Sequence, residues 1–324
     1  MSKTLQILST SERLFQTKNV VHWAIILSSV SLFFFMFFSG PMYGVERPIW
    51  YRISTFILQE IAVFGAGLVC LRNGLSKQMP SGTQVWLLTG VALFSYFIGN
   101  LFFYLWELLW HLDPVGSLGD PFFVIFYILL FLGIVTAVIN KKIKLKIYQW
   151  SIIAGITTYA AVMAMWIMTP PPTSANSTAS AMVATAQPST SQASPTAKPA
   201  EETTPDAPEW VKSIDAVFKP HGAALNQFYV WSDVVLFGFA VAMILACWGG
   251  KLSNAWQVNA QAIICFYVAD MWLAYATNHV SGYQSGFMLE VFWTFGAIQF
   301  GVAAALEFEH MTVSEKDRYD DLYY

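Results

Sequence analysis

The chain has 324 residues, of which 56% are hydrophobic, 16% are aromatic and only 11% are charged. A mean hydropathy of +0.51 excludes an ordinary soluble domain and predicts an integral membrane protein in contact with the lipid bilayer. The formal net charge of −3, without a basic stripe carrying interleaved aromatic residues, argues against a nucleic-acid partner.

Eight apolar runs are long enough, at roughly 20 residues each, to cross the hydrocarbon core as helices. They cover residues 20–40, 52–72, 84–108, 120–140, 148–169, 226–248, 255–278 and 286–307. The predicted fold is therefore all-α and polytopic, with eight transmembrane helices.

Lysine and arginine predict the orientation of these spans, because they gather in cytoplasmic connections. The polar segment 1–19 lacks the pattern of a removable signal peptide, so the first span is expected to stay in the protein. Basic residues precede the first span and follow the second, fourth and sixth spans. We therefore expect both termini, including the tail 309–324, to be cytoplasmic.

Residues 169–208 interrupt the membrane pattern with proline, serine, threonine and alanine. Such a composition cannot bury enough apolar surface to offset its ordering entropy, which predicts a disordered extracytoplasmic linker. Residues 209–220 then show apolar positions at helical spacing beside charged ones, which predicts a short helix lying at the membrane interface.

Two short acidic motifs indicate an internal repeat. Glu60-Ile-Ala-Val-Phe-Gly65 corresponds to Asp233-Val-Val-Leu-Phe-Gly238. At one constant offset of 170 residues, Trp86, Asn100, Asp120 and Phe123 correspond to Trp256, Asp270, Glu290 and Trp293. We predict two parallel four-helix repeats: residues 20–168 contain the first, and 221–308 complete a second that begins with the span at 148–169. Parallel repeats often enclose a binding site where their halves meet.

Polar residues within the spans mark a candidate site. Ionisable groups at membrane depth are costly, and they usually face an interior contact or a functional cavity. The candidate binding residues are Glu60, Asn100, Glu107, Asp233, Asp270 and Glu290. With the expected orientation, all of them fall in the outer half of the membrane, whereas the inner half is almost purely apolar. This predicts an outward-facing polar vestibule, and hydrogen bonding that only packs the two halves is the alternative.

Two further polar residues are assigned secondary roles. Asp120 precedes Pro121 at the start of a span, a pattern typical of a helix N-cap. His279 falls in an expected outer loop and is interpreted as solvated. Glu290 also lies near a helix start, where its charge can complement the helix dipole.

Several kinds of chemistry lack the residues they need. His22 opens the first span, but the later spans provide no second histidine deep in the bilayer to complete a haem site. Catalytic serine, zinc-protease and phosphate-loop motifs do not occur in the sequence. The three cysteines have no metal-binding spacing. We therefore expect no enzymatic activity, no cofactor and no metal site.

Two blocks of sequence resemble a known membrane region. They are Gly99-Asn100 to Glu107 followed by Ser117-Leu-Gly-Asp120-Pro-Phe-Phe123, and Ala269-Asp270 to Tyr275 followed by Ser285 and Glu290-Val-Phe-Trp293. Both are similar to the multi-helix region that precedes GGDEF, EAL and histidine-kinase output domains in bacteria. The resemblance implies a sensory signal-input module of the bacterial inner membrane, with an unknown ligand. Because residues 310–324 leave no room for an output domain, we expect action through a membrane protein partner or the tail.

These observations favour a stand-alone, sensor-like or accessory membrane protein that binds a small ligand or a partner helix at the outer junction of the repeats. A cation- or proton-coupled transporter or channel is one alternative, although it requires polar residues along a full crossing. A structural subunit of a larger membrane complex is another.

Overall fold

A computed structural model describes residues 16–40, 47–76, 79–112, 115–141, 145–169, 207–247, 253–280 and 283–323. Within these ranges the regular structure is entirely helical, which confirms the all-α prediction. Most of the predicted linker 169–208, and most of segment 1–19, lie outside the described residues.

Nine α-helices occur in the described part of the chain. They are α1 (Thr17–Phe38), α2 (Ile49–Gly74), α3 (Thr83–Tyr104), α4 (Asp120–Lys141), α5 (Ile147–Met168), α6 (Glu209–Phe218), α7 (Gly222–Ala246), α8 (Ser253–His279) and α9 (Val291–Tyr323). A π-helical turn, Leu105–Leu109, extends α3, and short 3-10 turns precede α7 and α9. Eight helical segments in these ranges are long and apolar enough to cross a membrane, with α6 and α7 counted as one segment. The chain is therefore a multi-pass membrane protein in contact with lipid.

The predicted bounds of the spans differ from the helices mainly at the ends. The last helix continues from the apolar run, predicted to end at residue 307, to Tyr323. Glutamate, lysine and arginine favour helix, so the polar continuation stays helical although it is not apolar. Hydropathy locates the part of a helix that suits a membrane and does not locate its termini.

Six helices form a closed ring in which each packs against the next: α2, α3, α4, α7, α8, α9 and again α2. Outside this ring, α1 packs mainly on α9, and α5 packs mainly on α7. We call the end that carries the 3–4 and 8–9 connections (residues 115–119 and 283–287) the cavity end, and the other end the opposite end.

The ring has one tight seam and one open seam. Between α2 and α9 the backbones approach closely, since a Cβ added to Gly301 would lie 3.3 Å from the Cα of Ala66. Asn73 also donates a hydrogen bond to the carbonyl of Ala304 across this seam, at 2.7 Å. Between α4 and α7 the contact is much sparser and includes the rings of Phe131 and Phe239, whose centroids are 5.6 Å apart. The open seam leaves space at the cavity end.

A buried polar cluster ties the opposite end together. The backbone N–H of Ser81 donates to Glu307 at 2.7 Å, and the Asn140 side chain donates to the Ser81 carbonyl at 2.9 Å. Glu307 has no exposed surface. The expectation of an almost purely apolar inner half therefore needs correction here, because a loop N–H that enters the protein interior requires an acceptor.

Helix α6 corresponds to the short helix predicted at 209–220. Val211 on α6 is fully buried and belongs to the apolar cluster around Trp106 of the π-helical turn. The rings of Trp106 and Trp210 are 6.4 Å apart in an edge-on arrangement. α6 therefore packs against the cavity end of α3.

Replacing Gly301 by leucine tests the tight seam. We expect Gly301→Leu to lower the free energy of unfolding by about 1–3 kcal/mol, because the new side chain meets the α2 backbone in a packed interface. Gly155→Leu is the matched control, since a Cβ at Gly155 meets nothing within 4 Å. Thermal unfolding in detergent measures both, and equal midpoints would contradict the close approach.

Candidate ligand-binding cavity

A cavity of ≈ 870 Å³ lies at the cavity end, inside the ring of helices and beside the open seam. Its volume is in the range typical of small-molecule sites. The polar residues predicted from the sequence that line it are Asn100, Glu107, Asp120, Asp233 and Asp270. Aromatic side chains form much of the remaining wall, namely Tyr96, Phe103, Tyr104, Phe123, Tyr127, Tyr229, Tyr283 and Trp293.

Asp233 and Asp270 meet at the hydroxyl group of Tyr127. The Tyr127 oxygen lies 2.9 Å from Oδ1 of Asp233 and 3.4 Å from Oδ2 of Asp270. The indole N–H of Trp293 donates to Oδ1 of Asp270 at 2.8 Å. Four helices, α4, α7, α8 and α9, thus contribute one side chain each to a single hydrogen-bonded group.

This group is short of donors. Tyr127 has one hydroxyl proton, which can satisfy one carboxylate oxygen at a time. Oδ2 of Asp233 is buried and receives no hydrogen bond from another type of side chain among the described residues, whereas a side-chain hydrogen bond between Asp233 and Asp270 requires one proton between the two carboxyl groups. Two carboxylates so close together in a buried site repel each other unless a proton or another cation is shared between them. The arrangement is therefore suited to holding positive charge.

Glu60 and Asn100 form the second buried pair. The Asn100 amide donates to Oε1 of Glu60 at 2.8 Å, between α3 and α2. Asn100 lines the cavity, whereas Glu60 lies behind it and is not part of the wall. Next to Glu60, Gln59 donates to the hydroxyl of Tyr96 at 3.3 Å.

Glu107 lines the cavity but is already paired. Its carboxylate forms a salt bridge with Arg52 of α2 and accepts a hydrogen bond from the Ser285 hydroxyl at 3.1 Å. Both Arg52 and Glu107 side chains are mostly shielded from solvent. Glu107 therefore links the π-helical turn to α2 and to the 8–9 connection, and its charge is matched.

Asp120 does not make the contacts predicted for an N-cap, because its carboxylate accepts N–H groups of the residues before α4 and not those of the first turn of that helix. One of its oxygens accepts the backbone N–H groups of Gly116 and Ser117 at 2.8 and 2.7 Å, and the other accepts the Tyr229 hydroxyl at 2.6 Å. The two N–H contacts turn the 3–4 connection into α4, and the third ties α4 to α7. Asp120 thus reaches the cavity wall with both oxygens occupied.

Glu290 is buried behind the wall and organises the 8–9 connection. It accepts the backbone N–H of Gly286 at 2.7 Å and a very short hydrogen bond from the Tyr283 hydroxyl. Burial raises the pKa of Tyr283, and the neighbouring Glu290 carboxylate raises it further, so Tyr283 remains a donor. The indole N–H of Trp272 donates in turn to the Tyr283 oxygen at 3.0 Å.

His279 lies away from the cavity wall. Its Nε2 is 2.9 Å from the carbonyl of Ile167 near the end of α5, and its ring stacks against Trp166 and Tyr275, which also stack against each other. The interpretation of His279 as solvated is wrong for this ring, because the histidine fastens α5 to α8.

The structure adds residues that the sequence reasoning missed. Tyr127 and Trp293 hold the two aspartates, and Tyr229 holds Asp120. Helical spacing could have located the two tyrosines: Tyr127 lies seven residues after Asp120, and Tyr229 lies four residues before Asp233, so each shares a helix face with a carboxylate. No group of three or more His, Cys, Asp or Glu side chains that could hold a metal occurs among the described residues.

Removing the Asp120 carboxylate tests its role in holding the connection before α4. Asp120→Ala removes acceptors from two N–H groups and one hydroxyl, and we expect a loss of about 1–2 kcal/mol in the free energy of unfolding. Asp120→Asn keeps one acceptor oxygen and should recover part of this loss. Thermal unfolding in detergent compares the two variants, and an unchanged midpoint for Asp120→Ala would refute this structural role.

Comparisons with known proteins give no relative for this chain. No family model, no curated protein and no solved structure matches it. The chemistry of the cavity is therefore interpreted from its own residues.

Proposed function

We propose that this chain is a sensor-like membrane protein that binds a small molecule in the cavity, at the junction of two repeated halves. The observation that carries the proposal is the cavity itself, with Asp233 and Asp270 held together in its wall. A concave, largely aromatic site with a few converging polar groups is the usual form of a small-molecule site.

Matching connections support the repeat. Gly116 and Gly286, which are 170 residues apart, both have positive φ angles of 88° and 110°. Four residues after each glycine stands a carboxylate that accepts its N–H, Asp120 in one case and Glu290 in the other. The same glycine turn, with the same hydrogen bond from the glycine N–H to a carboxylate, thus occurs before α4 and before α9.

Contacts between corresponding residues also support a two-fold relation. The rings of Trp86 and Trp256 are 6.2 Å apart, and those of Tyr96 and Phe266 are 5.2 Å apart. Both pairs are related by the offset of 170 residues. Residues that touch their own counterparts are expected to lie close to a symmetry axis, which would here run between α3 and α8.

Unequal residues at the two seams explain why only one seam carries the cavity. Under the proposed repeat, Ala66 corresponds to Phe239 and Gly301 corresponds to Phe131. The small pair allows the close approach of α2 and α9, and the phenylalanine pair stands between α4 and α7. The second half would thus have gained a binding space by substitution at equivalent positions.

The position of the cavity favours binding over a transport path. Its lining residues on α3, α4, α7 and α8 all come from the cavity-end half of each helix. In the other half, apolar side chains including Val85, Ile134, Ile263 and Ala303 pack into one buried core. The resemblance to signal-input regions adds a partner: we propose that binding is passed to another membrane protein.

The same proposal places the chain in a bacterial inner membrane with the cavity end outside. Glu209→Cys at the cavity end should react with an impermeant maleimide added to intact cells. Leu75→Cys, which is 78% exposed at the opposite end, should react only after permeabilisation. Cys247→Ser provides the background for both, because Cys70 and Cys265 are buried. The reverse labelling pattern would contradict this orientation.

Filling the cavity tests the binding function. Ala223 lines the cavity and Ala224 does not, although both are exposed neighbours on α7. Native mass spectrometry of the purified chain, incubated with a small-molecule extract of its host cells, should show a bound adduct for the natural protein and Ala224→Trp. Ala223→Trp should reduce the yield of that adduct, because the indole takes up part of the cavity.

Two results would contradict the binding function. One is the lack of any adduct on the natural protein, and the other is an adduct that Ala223→Trp retains in full. Equal elution on size exclusion for the two tryptophan variants controls for misfolding.

A further inference from the structure

We propose that the cavity is a site for an organic cation, in which an ammonium group is held by Asp233 and Asp270 against aromatic side chains. This inference rests on the proposed binding function and names the chemical class of its ligand. The class includes protonated amines and quaternary ammonium groups.

The first support is charge that the protein leaves unmatched. Of the four carboxylates in the wall, Glu107 is paired with Arg52. Asp120 accepts hydrogen bonds from two backbone N–H groups before α4 and from the Tyr229 hydroxyl. Neither ion pair formed by described residues involves Asp233 or Asp270. Lys219 also lines the cavity, but it precedes α7, and Asp233 lies about 16 Å further along that helix. The aspartate pair therefore has no protein cation beside it.

The second support is a buried acceptor that is short of donors. Asp233 is only 3% exposed, and in the described part of the chain its Oδ2 receives no hydrogen bond from a tyrosine, tryptophan, amide or basic side chain, so that a proton shared with Asp270 is the one donor the protein offers it. Leaving a buried carboxylate oxygen without a partner is costly, and the cost is greater for a charged group than for a neutral one. An ammonium group brings the positive charge that this atom lacks, and a protonated amine also brings hydrogen-bond donors.

The third support is the aromatic wall. The rings of Tyr127 and Tyr229 stack with their centroids 5.7 Å apart, and Phe123 meets Tyr229 edge-on at 6.3 Å. Aromatic faces attract cations through their quadrupole, and recognition of quaternary ammonium groups commonly combines several such rings. Aromatic rings together with a carboxylate pair suit an organic cation better than an anion.

A bare metal ion fits this wall poorly. Both oxygens of Asp270 already lie within hydrogen-bonding distance of donors, Trp293 on one side and Tyr127 on the other. Ca²⁺ takes about six to eight oxygen ligands, and no acidic or histidine cluster of that kind is found in the described ranges. The volume of ≈ 870 Å³ is also far larger than a bare ion requires.

The test uses choline and its neutral isostere 3,3-dimethyl-1-butanol, in which carbon replaces the charged nitrogen. Isothermal titration calorimetry on the full chain in mild detergent should give at least about tenfold tighter binding of choline. Asp233→Asn and Asp270→Asn keep the side-chain shape and should each weaken choline about tenfold or more. Glu209→Gln, at an exposed position outside the cavity, should leave the affinity unchanged.

A second arm separates two sources of the same headgroup. Dihexanoyl-phosphatidylcholine carries the choline group on a short lipid. Tighter binding of this lipid than of choline would assign the site to a membrane lipid headgroup, whereas tighter binding of choline would assign it to a free cation. Both results require the aspartate pair and therefore support the inference.

The failure of this inference is distinct from the failure of the binding function. Equal binding of the two isosteres, with no effect of Asp233→Asn, would overturn the cation inference and leave a neutral-ligand cavity. Failure of choline to bind would also overturn it, even if the cell extract contains another ligand whose binding Ala223→Trp reduces. The preference between isosteres is measured on the natural protein, so the test holds even if an aspartate variant does not fold.

Discussion

The bonds that Tyr127 and Trp293 make with Asp233 and Asp270 are the constraint on which the cavity depends. They connect α4, α7, α8 and α9 across the seam where the helices pack least closely. In a bilayer no solvent can satisfy these carboxyl groups from the lipid side, so their partners must come from the protein or from a ligand. Apart from a proton shared between the two carboxyl groups, the protein supplies two donors, the Tyr127 hydroxyl and the Trp293 indole, for the four oxygens of Asp233 and Asp270. The ring of helices thus encloses two carboxyl groups that form no salt bridge with a described residue.

The two seams show how such a site can coexist with a stable membrane protein. Without a hydrophobic driving force between helices in lipid, small residues that allow close backbone contact provide much of the packing. Gly301 and Ala66 give this contact to α2 and α9, where Asn73 adds an interhelical hydrogen bond. The other seam gives up close packing, and the aromatic side chains Phe131 and Phe239 fill part of the gap. Close packing between α2 and α9 stabilises the ring, so that α4 and α7 can remain further apart beside the cavity.

Hydropathy predicted the helical class and the number of membrane segments, because a span is a local property of sequence. The acidic residues Asp233 and Asp270 were also found from sequence, since charge in an apolar run stands out. Tyr127 was not found, because a tyrosine in a span is ordinary until a neighbouring helix brings a carboxylate to its hydroxyl. His279 was misread for the same reason: its partner, the carbonyl of Ile167, belongs to another helix. The local sequence pattern identifies polar residues that are energetically unfavourable within a span. Tertiary packing determines which groups form hydrogen bonds with them.

The corresponding pair in the first half provides a comparison for the aspartates. Under the proposed repeat, Glu60 and Asn100 correspond to Asp233 and Asp270, and there the amide donates directly to the carboxylate. A carboxyl–amide pair is thus sufficient to join two helices at this depth, and it contains one ionisable group where the aspartate pair contains two. The second half carries two carboxyl groups at the same place, which adds repulsion that a shared proton or a bound cation must relieve. A proton shared by the two aspartates gives the same helix contact that Asn100 gives Glu60, and a positively charged ligand that replaced this proton would interact with both carboxylates at once.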